Sequence, residues 1–258
     1  MKIRRCARIA AMAGLATLVL SGTGWATVIP ITAGPFTFCP PGEYEANFVE
    51  VRRGSEISPG PDPGTSHCAV NFTGLAGAAG DTWLTRSNAG SFNAFNSSCI
   101  EADILINKFN NAKGGGLVAL LQTDPGDKGL FLLLIDNGNT DRLTLNTIDP
   151  NNGKIVQLAS VPLGSSIVEN AWYRLNLTVV ARESVDSLSV FGFVASHTDP
   201  SNPNSTVHGL IGSVLQFNGS LDDLGLAQEG FVGMAAWAKS AVVNTSMTNF
   251  FATSFCSG

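Results

Sequence analysis

From Cys68 onward, short apolar runs alternate with turn residues at intervals of roughly ten residues, the pattern of an all-β sandwich or barrel. The runs span 68–73, 81–86, 99–107, 116–123, 129–136, 141–148, 154–160, 171–181, 187–196, 230–238 and 246–256. Along "AWYRLNLTVV", Tyr173, Leu175, Leu177 and Val179 fall on one face of a strand, and Arg174, Asn176 and Thr178 on the other. "CIEADILIN" sorts the same way, with Ile100, Ala102, Ile104 and Ile106 against Glu101, Asp103, Leu105 and Asn107. "GLVALLQ" and "GLFLLLID" do not alternate, which suits central strands covered on both faces, or strands whose second face is packed under loops. The connectors "TDPGDKG", "DNGNTD" and "IDPNNGKI" carry hairpin signals, Asn137-Gly138 and Asn152-Gly153 among them. Two stretches break the rhythm. Residues 27–67 are dense in Pro and Gly and read as an irregular lead-in. Residues 197–228 read as one long connection, with a single helical turn at 221–228, and a connection of that length is usually functional or locally packed.

Residues 1–26 stand apart. Lys2, Arg4, Arg5 and Arg8 precede a short apolar stretch, and Gly24-Trp25-Ala26 forms a small-x-small site. This predicts a secretory signal peptide cleaved after Ala26, and places the mature chain in the periplasm or outside the cell with no membrane span of its own. The chain has 15 Lys+Arg and 20 Asp+Glu; losing those four basic residues leaves 11 against 20, a net charge of −9. A chain this acidic is a poor partner for nucleic acid. The mature cysteines, Cys39, Cys68, Cys99 and Cys256, are even in number, which in an exported chain predicts two disulfides, in any of three pairings.

"NAWYRLNLTVV", "LSVFGFVASHTDPSNPNS" and "EGFVGMAAWAKSAVVNTSMTNF" resemble the closing strands of laminin-G-like jelly-roll domains of the concanavalin A-like lectin/glucanase superfamily, common in exported bacterial proteins. The resemblance covers residues 90–252 and implies a jelly-roll sandwich of two antiparallel sheets, residues 68–258, behind the loop-rich 27–67. That superfamily holds lectins, carbohydrate-binding modules, glucanases, polysaccharide lyases and adhesion domains, and a fold does not choose among them.

Retaining glucanases of the superfamily carry Glu-x-Asp-x-x-Glu on one strand. Glu101-Ala102-Asp103 matches its start, but Ile106 stands where the second glutamate belongs. Retention needs two carboxyls about 5–5.5 Å apart with both roles filled, so Glu101 and Asp103 read first as the solvated polar face of a strand. The Arg, His or Gln, and Tyr set of jelly-roll lyases finds no recognisable run; His197 and His208 read as surface-loop histidines and Tyr173 as a core residue. Serine-hydrolase and zinc motifs are missing from the sequence. Turn aspartates Asp124, Asp127, Asp136 and Asp141 are candidate calcium ligands, the one cofactor the sequence suggests. Trp83, with Arg86 and Asn107 as polar neighbours, is the candidate sugar platform; Trp172 and Trp237 read as core plugs or edge covers. Three functions follow: a secreted non-catalytic module for a glycan or cell-surface component, a degenerate hydrolase or lyase using Glu101 and Asp103, or a structural envelope or matrix protein.

Overall fold

The computed structural model describes residues 32–39, 42–52, 56–75, 81–87, 92–93, 98–106, 113–122, 128–136, 140–148, 155–238, 242–254 and 256. Its strands are β1 (Thr32–Phe36), β2 (Phe48–Arg52), β3 (Glu56–Pro61), β4 (Cys68–Leu75), β5 (Asp81–Ser87), β6 (Phe92–Asn93), β7 (Ser98–Ile106), β8 (Lys113–Gln122), β9 (Lys128–Asp136), β10 (Arg142–Ile148), β11 (Ile155–Pro162), β12 (Trp172–Arg182), β13 (Ser187–His197), β14 (Val207–Gly219), β15 (Glu229–Ala238) and β16 (Val242–Thr253). Two short α-helices, α1 (Glu43–Asn47) and α2 (Leu221–Leu224), complete the described regular structure apart from one 3₁₀ turn.

The strands form two antiparallel eight-stranded sheets. The first runs β14-β13-β12-β7-β16-β4-β3, with β1 beside β16; the second runs β11-β10-β9-β8-β15-β5-β2, with β6 beside β15. Alternation explains the core between them. On β12, Leu175, Leu177 and Val179 are fully buried against Leu130, Leu132 and Leu134 of β9 in one apolar cluster. Burial of each such side chain contributes about 1.5–3 kcal/mol. The sheets approach closely at Gly192 of β13, where an added Cβ would lie 2.5 Å from the Leu132 Cδ1.

The non-alternating runs behave as their composition demands. All of Lys113–Leu121 and Gly129–Asp136 is buried, and Val118, Phe131, Leu133, Ile135 and Ile148 make a second apolar cluster on the far side of β8–β10. Buried Lys113 stands opposite buried Asp136 in the β8–β9 ladder, so opposite charges face each other there.

Two segments differ from their sequence reading. The lead-in contributes β1 and β3 to the first sheet and β2 to the second. Pro59 and Pro61 concealed β3, yet they are tolerated because it ends the first sheet. The long connection contains a 13-residue strand, β14. As an edge strand it buries little, and a register shift opposite Gly192–Val194, with Gly212 at φ 70°, breaks its alternation. The helical turn at 221–228 is α2, capped by Ser220, whose Oγ accepts from the Asp223 N–H. The three hairpin turns lie outside the described residues. The disulfides are Cys39–Cys68, which ties the lead-in to β4, and Cys99–Cys256, which ties β7 to the chain end.

Candidate functional site

Residues opposite one another in an antiparallel ladder share a face. On the outer face of the first sheet, the ladders align Thr248, Asp103, Arg174 and Ala195 in one row, and Phe251, Glu101, Asn176 and Phe193 in the next. These rows cross β16, β7, β12 and β13, the strands whose alternation leaves one face free of the core.

The first row holds a buried ion cluster. Asp103 is fully buried. Its Oδ1 accepts from Arg174 Nε at 2.5 Å and lies 2.8 Å from His197 Nε2. Its Oδ2 accepts from Arg174 Nη2 and from Asn249 Nδ2, both at 2.7 Å. His197, also buried, sets Nδ1 3.1 Å from the Ser205 carbonyl oxygen. Both of its ring nitrogens thus lie within hydrogen-bond reach of an oxygen. Arg174 Nη1 turns outward to Glu101 Oε1 at 3.2 Å, and the Glu101 side chain is 29 % exposed. Arg174 thus bridges two carboxylates, one buried and one partly exposed. Burial alone would raise the Asp103 carboxyl, but the hydrogen bonds and charges of Arg174 and His197 outweigh it and hold it below the ordinary carboxylate range. Burial works against the Arg174 charge, and Asp103 with Glu101 more than offsets it, raising Arg174 above its usual value.

Asn249 reaches Asp103 because β16 bulges between Thr248 and Phe251, with Asn249 at φ 52°. Its amide also donates to the Pro203 carbonyl at 3.2 Å. Together with His197 it pins the 198–206 loop over the sheet.

This corrects two sequence readings. Asp103 is not a solvated carboxylate, because strand alternation tells which face a side chain takes and not what covers that face; here the 198–206 loop and Asn249 do. His197 is no surface-loop histidine; it ends β13 and its ring packs inward on the same cluster. The partners that sequence reasoning missed are Arg174, His197 and Asn249. Arg174 carried a signal: a cation on the polar face of a strand otherwise lined by Asn176 and Thr178.

The other candidates lie elsewhere. Trp83 and Arg86 are on β5 of the second sheet, opposite Ala236 and Gly233 of β15, and are not brought to Glu101. Asn107, Asp124 and Asp127 lie outside the described residues. Asp136 faces Lys113 across the ladder, and Asp141 Oδ2 accepts from the Ile167 N–H at 2.6 Å. Among the described residues no three His, Cys, Asp or Glu are grouped to hold a metal ion. Tyr173 is buried as read, its hydroxyl accepting from the Val168 N–H at 2.7 Å.

No protein-family model and no curated protein matches the chain. Solved structures do. An engineered GH43 glycoside hydrolase with endo-xylanase and exo-arabinofuranosidase activity aligns at 10 % identity and a TM-score of 0.52, over 90 % of this chain and 42 % of that one. The shared fold is a jelly-roll β-sandwich of two antiparallel sheets. Carbohydrate-binding module CBM66 from Bacillus subtilis aligns at 15 % identity and a TM-score of 0.45, over 79 % of this chain and 92 % of the module. Peanut lectin, solved with a nine-residue peptide, aligns at 11 % identity and 0.48, over 87 % and 96 %. The chain spans less than half of the glycoside hydrolase. At these identities the likeness is one of fold.

Within this jelly roll the second row is the open part of the outer face. Phe251, Glu101, Asn176 and Phe193 are all partly exposed, and Phe191, one row further, is 39 % exposed. The buried cluster beneath holds Arg174, and through it Glu101, in place.

Proposed function

We propose that this protein is a secreted, non-catalytic glycan-binding module whose ligand lies along the outer face of the first sheet. The observation that carries this is the row Phe251–Glu101–Asn176–Phe193, an aromatic ring at each end with a carboxylate and an amide between. Sugars need that combination: rings to cover their C–H faces, planar polar groups to orient hydroxyls. Three inter-strand steps put the end residues about 14 Å apart, which accommodates more than one sugar. The fold resemblance to a carbohydrate-binding module and to lectins is consistent with this.

The geometry speaks against hydrolysis by Glu101 and Asp103. Both Asp103 oxygens are occupied by donors and the side chain has no exposure, so it offers neither nucleophile nor acid to a substrate. Glu101 alone does not fill both roles. The signal-like first 26 residues and two disulfides support export to an oxidising compartment. No helix among the described residues is long and apolar enough to cross a membrane.

The test is a broad glycan-binding screen of residues 27–258, with and without calcium. Binding that a Phe193→Ala exchange weakens supports the reading. Robust cleavage of a bound polysaccharide, or no binding in either condition, overturns it. Strict dependence on calcium would move attention to the turn aspartates.

A further inference from the structure

Beside the buried cluster, on the same face, lies a surface pocket of about 220 Å³. We propose that it takes the terminal residue of an uncharged glycan chain, which makes the protein a reader of chain ends; this rests on the glycan-binding reading above. The pocket sits between the turn that leads into β4, the β16 bulge and the 198–206 loop. Its volume has room for a single sugar ring.

The lining chemistry defines the ligand. No carboxylate, lysine or arginine lines the pocket, and His67 is its one titratable group. An anionic sugar would find no lysine or arginine to pair with there. The Ser66 hydroxyl and the His67 ring make no hydrogen bond to other described residues, so both are open to a ligand. The Asn204 amide adds a donor and shares its Oδ1 with Asn249 at 3.3 Å. The Cys39–Cys68 disulfide and the Pro203 ring supply apolar walls for C–H faces. Convergent neutral polar groups on an apolar cradle suit a polyhydroxylated ring.

Every wall is also fixed in advance. Asp62 holds the turn through the N–H groups of Gly64, Thr65 and His67 at 2.7–2.8 Å. Trp172 braces both sides: its indole N–H donates to Thr65 Oγ1 at 2.9 Å, and its backbone N–H to the Pro200 carbonyl at 2.7 Å. His197 and Asn249 tie down Ser205 and Pro203. Ser66 and Asn249 both adopt left-handed φ, 61° and 52°, as does Phe38 next to the lining residues Thr37 and Cys39. Such backbone strain concentrates at functional sites. A pocket built this way loses little entropy on binding, so a small ligand suffices.

The test uses saturation-transfer NMR on the mature protein with glucose, galactose, mannose, fructose, xylose and arabinose as free probes. It is run on wild type, on Asn204→Trp, which fills the pocket from an exposed loop position, on Phe193→Ala, which alters the open row, and on a Gly209→Ala control. A melting curve checks that each variant is folded. We expect at least one monosaccharide to bind wild type and the Gly209→Ala control alike, and Asn204→Trp to bind it more than tenfold more weakly. If a polysaccharide binds through Phe193 while no monosaccharide binds, or if Asn204→Trp leaves monosaccharide binding unchanged, the pocket inference fails and the glycan reading stands. If neither polymer nor monosaccharide binds, both fail.

Discussion

The two sheets turn very different outer faces away from their shared core. On the second sheet, Val118, Phe131, Leu133 and Ile148 are buried, and the polar Asn146 turns its amide back to the Phe131 carbonyl and to Thr144. On the first, Glu101, Asn176, Phe193 and Phe251 remain partly open above a buried ion cluster. One face is closed with apolar packing, while the other keeps polar and aromatic groups accessible and holds them rigidly. Among the described residues, the first sheet's outer face is the one that leaves such polar and aromatic groups accessible.

The contrast can be broken most severely at Asp103. Asp103→Ala leaves the Arg174 guanidinium with the partly exposed Glu101 alone and strips His197 Nε2 and Asn249 Nδ2 of their shared partner, and removing one partner of a buried pair costs about 3–5 kcal/mol. Urea unfolding should read that loss, and a change under 1 kcal/mol would mean the cluster is not buried as described. Removing the Cys99–Cys256 bridge, which closes 157 residues around the same face, should cost about 2–5 kcal/mol by the same assay.

Acid sharpens the first prediction. The folded-state pKa of Asp103 lies below its unfolded value. Its contribution is therefore complete above the unfolded value of about 3.9 and is lost as pH falls through the folded one. The stability gap between wild type and Asp103→Asn should be full at pH 7 and shrink steadily below about pH 4. A gap that widens in acid would contradict the ion cluster.

Smaller effects separate inside from outside on one strand pair. Gly192→Val drives a side chain into Leu132 and should cost about 1–3 kcal/mol by overpacking. On neighbouring β14, an added Cβ at Gly209 meets nothing within 4 Å, so Gly209→Ala should change stability by about 0.5 kcal/mol or less. Thermal melts of the two variants compare the faces directly. The least costly change is Glu101→Gln, which removes a partly exposed ion pair worth about 0–1 kcal/mol. It should leave the melting curve nearly intact.

Much of this architecture was legible in the chain. Period-two alternation located β7 and β12 and sorted Leu175, Leu177 and Val179 inward. Continuous apolar runs marked β8 and β9 as covered on both faces. The edges were harder to read, because an edge strand buries little and tolerates proline: β3 hid behind Pro59 and Pro61, and β14 behind its bulge. The site was harder still. Asp103, Arg174, His197 and Asn249 are far apart in sequence, and only strand order brings them together. Periodicity could put Asp103 on the outer face, but the loop that buries it is a long-range fact with no local signature. Trp83 drew attention as an indole among polar residues, yet its strand belongs to the other sheet.

The role proposed for the open row on the first sheet is to meet the ligand. It is tested most directly by the affinity of wild type and of Phe193→Ala for the strongest binder from the glycan screen. Burying a phenylalanine ring is worth about 1.5–3 kcal/mol, so the account predicts an affinity at least about tenfold weaker with the melting temperature little changed. Equal affinity in the two proteins would contradict it.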